Sequence, residues 1–315
     1  MKLKDVSAQY GTLRKSMGEH FASAESVLHT FCRQMGAEID IEDICADRVA
    51  TFLADTGPVT RYWHRKYGVL RGLYRYAISR GFVTASPLPT TVPKLPPRFV
   101  PYIYTRDELY RLVHATTSYR QEHRKLEPHT LRTIILLLYG AGLRVSEAVS
   151  LTLTDVDVPD TIITIRNTKF NKTRLVPLGP DLHQVIAQYL TQRNEAGHAQ
   201  NPCAPFFVLR RGTPVSVQLV EQTFRRLCNY AGVRRTDDAR YQPRLHDLRH
   251  SFAVHRLTSW YRQGADVHTL LPYLSTYLGH VNIAATQVYL TMTPELLQEA
   301  SRRFEQYAFE EVHHD

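Results

Sequence analysis

Residues 278–290 read Leu-Gly-His-Val-Asn-Ile-Ala-Ala-Thr-Gln-Val-Tyr-Leu, which sets His280 nine positions before Tyr289. A tyrosine hydroxyl has a reference pKa near 10, so only about one in a thousand is ionised at neutral pH. For Tyr289 to act as a nucleophile, a cation must stabilise its oxyanion or a base must take its proton. Two other stretches carry such groups. In residues 245–255, Leu-His-Asp-Leu-Arg-His-Ser-Phe-Ala-Val-His, a helix turns His246 and Arg249 the same way and sends Leu248 and Phe252 to the core. A His/Arg pair on one face suits a pentacoordinate phosphate, which needs donors that strengthen in the transition state. His246, His250 and His255 make a poor metal set, because no carboxylate triad accompanies them and Arg249 would repel a cation. Arg144 follows a glycine break, Gly140-Ala141-Gly142, and opens a new helix between apolar neighbours. A guanidinium at a helix N-terminus is an anion clamp. The bland alternative is an internal salt bridge to Glu147 or Asp155.

The elements that must hold these groups follow from pattern. Thr105-Arg-Asp-Glu108 is a capping box that starts a helix with Leu109, Leu112 and Val113 inward. Leu131–Tyr139 is almost wholly apolar, so this helix is central. Strands at Thr161–Ile165 and Thr173–Pro177 flank Asn167–Lys172, which reads as a hairpin tip carrying Lys169 and Lys172. Such lysines are usually just exposed charge; one folded into a groove could donate a proton. Thr293 and Pro294 open a last helix, expected over 293–310, with Leu296, Leu297, Ala300, Phe304 and Tyr307 as its apolar stripe. That stripe packs within the molecule by default, or docks into a neighbouring protomer.

The chain has 39 Lys and Arg against 30 Asp and Glu, a net charge of +9 and a pI near 9.4, which favours a polyanionic partner. Helices are expected at about Ala22–Met35, Ile41–Ala54 and Thr60–Arg80. The third holds six basic residues and no acidic one from Arg61 to Arg80. At roughly 100° per residue, Trp63, Tyr67, Leu70, Leu73, Tyr74 and Ala77 share one face and Arg61, Arg65, Arg71 and Arg75 the other. The arginine stripe is either a solvated face or a set of phosphate contacts in a duplex groove. Residues 84–98 then hold five prolines in fifteen, a semi-rigid linker. The expected division is a helical domain over 1–85, a linker over 86–101 and a second domain over 102–315. Cys32, Cys45, Cys203 and Cys228 form no CxxC pair, so neither a disulfide frame nor a zinc site is expected. With no apolar run of about 18 residues and no signal-peptide core at the start, a cytoplasmic, nucleoid-associated protein is expected.

Arg144 in Gly-Leu-Arg-Val-Ser-Glu, His246-x-x-Arg249, Leu278-Gly-His280 and Tyr289, in that order and with the last pair nine apart, resemble the tyrosine recombinases of the phage integrase family. The resemblance spans essentially the whole chain and is firmest over about 130–290. It implies a mainly α fold with a small antiparallel β-sheet: an N-terminal helical core-binding domain plus an α+β catalytic domain, forming a C-shaped clamp on duplex DNA. It implies that Tyr289 attacks a phosphodiester to leave a 3′-phosphotyrosyl link and a 5′-hydroxyl. Arg144 and Arg249 would clamp the phosphate, His280 would bond to it, and His246 would accept the proton. Lys169 would be the general acid to the 5′-oxygen, with Lys172 its rival. No metal or other cofactor is implied. Recombination would proceed through a Holliday junction within a homo-tetramer on double-stranded DNA. The layout expected from the resemblance is Xer-like, without a separate arm-binding domain.

There is one departure. Arg249 to His280 is 31 positions, more than in Xer-like members, with the excess around Ser259–Arg262 and Leu271–Tyr277; in this the chain is similar to transposon-encoded members. A type IB topoisomerase shares the chemistry but relaxes DNA without exchanging partners, and is the alternative function. A DNA-binding accessory protein would be expected to lack a catalytic position, and a metal nuclease would be sensitive to chelators.

Overall fold

A computed structural model describes residues 1–19, 21–54, 58–96, 99–119, 125–166, 173–237, 239, 241–280, 282–292 and 294–302. Two compact units divide the chain, Met1–Phe99 and Val100–Asp315.

The first unit contains α1 (Leu3–Ser16), α2 (Ala22–Met35), α3 (Ala46–Leu53) and α4 (Arg61–Ser79). Its core gathers Leu3 and Val6 of α1, Phe31 of α2, Val49 of α3 and Leu70 and Leu73 of α4. The helix expected over Ile41–Ala54 is instead a 3-10 turn, Ile41–Asp43, followed by α3, with extended backbone at Ile44 and Cys45 between them. Helix α1 has no counterpart in the pattern reading. Thr60 caps α4 by accepting the Trp63 amide at 3.2 Å. On its inner face Trp63, Leu70, Leu73, Tyr74 and Ala77 are buried, with Tyr67 partly so.

The second unit runs α5 (Arg106–Ser118), α6 (Pro128–Gly140), α7 (Val145–Val149), β1 (Val156–Asp157), β2 (Ile162–Ile165), β3 (Arg174–Pro177), α8 (Pro180–Glu195), α9 (Val217–Tyr230), α10 (Asp247–Arg262), α11 (Val267–Leu278) and α12 (Ala284–Gln287), then a 3-10 turn Val288–Thr291. The Thr105–Glu108 capping box forms as expected. Helix α6 packs against α5, α8 and α10, and Ile134, Ile135 and Leu137 are fully buried. The strands form an antiparallel sheet in the order β1-β2-β3, with Ile163 opposite Val176 and Ile165 opposite Arg174. The expected hairpin tip, with Lys169 and Lys172, lies outside the described residues. The residues in excess of the family spacing are helical: Ser259–Arg262 end α10, and Leu271–Tyr277 lie in α11.

Residues 294–302 are helical. Leu296 is buried in the same cluster as Phe252, Leu278 and Tyr289. Leu297, expected on the inner stripe, is instead 48% exposed: consecutive helical positions lie about 100° apart, so the two leucines face different ways. Thr293, Phe304 and Tyr307 lie outside the described residues. Among the described residues no helix is long and apolar enough to cross a membrane.

Candidate active site

Two glycines shape the backbone around the arginines. Gly142, just past α6, has φ +60, and a Cβ there would meet Phe252 at 2.6 Å and Leu278 at 2.9 Å. Gly279 ends α11 in the left-handed conformation, where a Cβ would lie 2.8 Å from the Arg174 guanidinium. A side chain at either site would be strained and would collide. Both carbonyl groups are used: Gly142 accepts from Arg249 Nη1 at 2.6 Å and Gly279 from Arg144 Nη2 at 3.1 Å.

Arg249, in the first turn of α10, is 2% exposed. Its Nη2 donates to the Leu278 carbonyl, so the guanidinium ties the turn after α6 to the end of α11. Burial and the nearby Arg144 bring its pKa down to about 10, still charged at neutral pH. Two backbone bonds leave donors of the five-donor fork free for other acceptors.

Arg144 caps α7 and is partly exposed. Its Nη1 lies 2.6 Å from Glu147 Oε1 and its amide 2.9 Å from Oε2. The salt bridge of the bland reading therefore exists, while the guanidinium keeps solvent access at 32% side-chain exposure. Glu147 is shared. Arg174 of β3 grips it with Nη1 at 3.0 Å and Nη2 at 2.8 Å, and sends Nε to the Tyr277 carbonyl at 3.0 Å. Burial pushes the Glu147 carboxyl up, but the Arg174 and Arg144 contacts outweigh it and hold the pKa at about 2. Arg174 thus fixes Glu147, which fixes Arg144. Pattern reading does not single out Arg174, yet a signal exists: β3 turns the charged Arg174 inward, at 9% side-chain exposure, and leaves Leu175 outside at 60%. Such inversions of strand alternation mark functional sites.

Tyr289 lies in the 3-10 turn after α12 and is 3% exposed. Its hydroxyl is 3.1 Å from His250 Nδ1. Burial raises the phenol pKa, against the lowering influence of the Arg249 and Arg144 charges. His280 stacks near the phenol ring, centroids 6.0 Å apart, and its Nδ1 meets Thr286 Oγ1 at 2.7 Å. Burial, then Arg249 and Arg144, depress the His280 pKa to about 4. His246 precedes α10, and its ring meets that of His250 edge-on at 4.9 Å. Burial and Arg249 lower its pKa as well. At neutral pH His280 and His246 are therefore uncharged beside two guanidinium cations. The structure gathers Arg144, His246, Arg249, His280 and Tyr289 around one phenol; Lys169 and Lys172 lie outside the described residues.

The sequence points to His250 only as a poor metal ligand. Its i,i+4 spacing from His246 is the available sign that both belong to one site. His255 turns elsewhere, its Nδ1 meeting the Tyr139 hydroxyl at 2.9 Å. Among the described residues, no group of three His, Cys, Asp or Glu side chains converges as a metal set.

In the first unit Arg61, Arg65, Arg71 and Arg75 are all exposed on α4. Arg61 donates to the Pro96 carbonyl at 3.1 Å; Arg65, Arg71 and Arg75 make no ion pair with a described residue. Lys66 is buried and donates to the Phe52 carbonyl at 2.7 Å.

Residues 103–295 match the phage integrase family profile. The protein y4rB of Sinorhizobium fredii, named as an integrase/recombinase, is 39% identical over 246 residues, covering 78% of each chain. Tyrosine recombinase XerD of Mycobacterium tuberculosis is 33% identical over 233 residues, 73% of this chain and 69% of XerD. Among solved structures, the Tn1549 transposon integrase in complex with transposon right end DNA superposes with a TM-score of 0.68 at 17% identity, covering 98% of this chain and all of that one. A lambda integrase tetramer bound to a Holliday junction gives 0.67 at 18% identity, covering 92% of this chain and 77% of that one.

Proposed function

The chain belongs to the phage integrase family and is a tyrosine site-specific recombinase, and from that premise we propose that it cuts and rejoins duplex DNA through a 3′-phosphotyrosyl intermediate and a Holliday junction. The observation that carries this reading is the Tyr289 phenol held on His250 within the field of Arg249 and Arg144, with the His280 ring close by. Tyr289 attacks the phosphorus, and Arg144 and Arg249 stabilise the charge that builds on the non-bridging oxygens. His280 bonds to the same phosphate. The phenol proton leaves to the histidine pair His246 and His250, His246 being the base the family resemblance implied. Two fixed guanidinium groups supply charge that a divalent cation supplies in other phosphoryl-transfer sites. The test is covalent capture: wild-type protein is mixed in EDTA with nicked duplexes from a randomised pool, and the attachment residue is mapped. Attachment at Tyr289 is expected; attachment elsewhere, or cleavage that stops in EDTA, would overturn the reading.

The relatives that carry a neighbouring fold include complexes with DNA and a tetramer, which supports double-stranded DNA and a homo-tetramer as the working partner and assembly. Leu297, uncovered by its own unit, supports the C-terminal helix as an element that docks on a neighbouring protomer. Arg65, Arg71 and Arg75, joined by Arg61 and Lys172, neutralise backbone phosphates. Replacing Arg65 or Arg71 by Ala should weaken DNA binding, lower its salt dependence by about one ion for each phosphate no longer neutralised and leave the cleavage step unchanged. A salt slope equal to that of wild type would remove these residues from the interface.

Lys169 is proposed as the acid that protonates the departing 5′-oxygen. Its Ala variant should cleave slowly on ordinary DNA and recover on a substrate with a 5′-bridging sulfur, whose leaving group needs no proton. Recovery of Lys172→Ala instead would move the role to Lys172.

A further inference from the structure

We propose that His250 is the catalytic residue that takes the proton directly from the Tyr289 hydroxyl, with His246 behind it rather than in contact with the phenol. The inference rests on the phosphotyrosyl reading above and names the proton acceptor within it. Three observations carry it. His250 Nδ1 and the Tyr289 hydroxyl are 3.1 Å apart, within the reach a proton transfer requires. His246 makes no hydrogen bond to that hydroxyl; its ring meets the His250 ring edge-on at 4.9 Å. Arg249, adjacent in sequence to His250, is the largest favourable charge acting on the same phenol, so the oxygen has a cation to stabilise its negative charge and an imidazole to receive its proton.

The step balances. The Tyr289 O–H bond breaks and an N–H bond forms at His250 Nδ1, which requires the tautomer with the proton on Nε2. The phenolic oxygen uses its electron pair to bond phosphorus. The P–O5′ pair leaves with the 5′-oxygen, which takes its proton from the general acid. In rejoining, His250 returns the proton to the phenol as Tyr289 leaves.

The surroundings keep His250 ready to accept. Burial, and then His246, Arg244, Arg249 and His280, push its pKa down to about 3, so it is neutral in the free protein. A phosphodiester settling between Arg144 and Arg249 adds a negative charge that offsets this cationic field. The proton affinity of His250 therefore rises when substrate is present, coupling activation of the nucleophile to occupancy of the site.

The test measures single-turnover adduct formation on nicked duplexes captured by the wild-type protein. His250→Ala should bind these duplexes as wild type does and form the adduct about 10²-fold more slowly, in the range for loss of a general base. His250→Asn offers an amide near the Nδ1 position and can hydrogen-bond the phenol, but it cannot take up the proton; it should be as slow as His250→Ala. Fluorinated tyrosine at position 289, a more acidic phenol, should recover much of the His250→Ala rate and little of any His246→Ala loss. Wild-type speed in His250→Asn would reduce His250 to a hydrogen-bonding prop and overturn the proposal. Equal failure of the fluorinated tyrosine to help His250→Ala would do the same. Failure of wild-type protein to form any adduct would overturn the phosphotyrosyl reading itself, a result distinct from either.

Discussion

Tyr289→Phe leaves DNA binding nearly intact and abolishes covalent attachment to a nicked duplex. The substitution removes one oxygen from a ring that is 3% exposed and packed with Phe252, Leu278 and Leu296, so the apolar contacts of the ring persist. What disappears is the hydroxyl that meets His250 at 3.1 Å. Loss of that single hydrogen bond costs about 1 kcal/mol of stability, too little to unfold a domain. Covalent attachment has no such reserve, because without the oxygen no P–O bond can form. Denaturing gels report the adduct, gel shifts report binding, and a melting curve reports folding. A persistent adduct in a folded Tyr289→Phe protein would transfer the nucleophilic role to another hydroxyl.

Removal of either arginine slows cleavage by on the order of 10²-fold or more, the loss typical of a donor that works in the transition state. The two losses differ in what accompanies them. Arg249 is buried and bonded to the Gly142 and Leu278 carbonyl groups, so Arg249→Ala leaves two buried acceptors without donors, at about 1–3 kcal/mol each. Its melting temperature should fall along with activity. Arg249→Lys keeps the charge but not the planar fork that reaches both the Gly142 and Leu278 carbonyls, and should also lose at least about 10²-fold. Arg144 is partly exposed and shares Glu147 with Arg174. Arg144→Ala leaves that carboxylate paired, so activity falls with a much smaller change in melting. Arg249→Lys cleaving within tenfold of wild type would show that charge alone suffices and that the fork geometry is not required.

Much of the scaffold was legible because it rests on local pattern. The capping box at Thr105, the apolar run of α6, the boundaries of α2 and the pairing of β2 with β3 each follow from spacing within one short stretch of chain. Helix α1 was only weakly marked: its buried Leu3, Val6 and Tyr10 have the helical i, i+3, i+7 spacing, but over barely two turns. A helix of 14 residues is marginal alone and is held by packing against α2 and α4. Ile44 and Cys45 carry no proline or glycine, so the break before α3 was hidden.

The sequence by itself determined which chemical groups this protein has, in what order, and on which helices and strands they ride. Arg144 after the glycine break, the His246-x-x-Arg249 turn and the nine-residue step from His280 to Tyr289 are one-dimensional facts. Only the tertiary structure decided the partners: Arg174 on Glu147, Arg249 across to Gly142 and Leu278, and His250 on the phenol. Those pairings join residues 27, 107, 29 and 39 positions apart. Their geometry comes from how α6, α7, β3, α10, α11 and the turn carrying Tyr289 pack, which no local periodicity encodes.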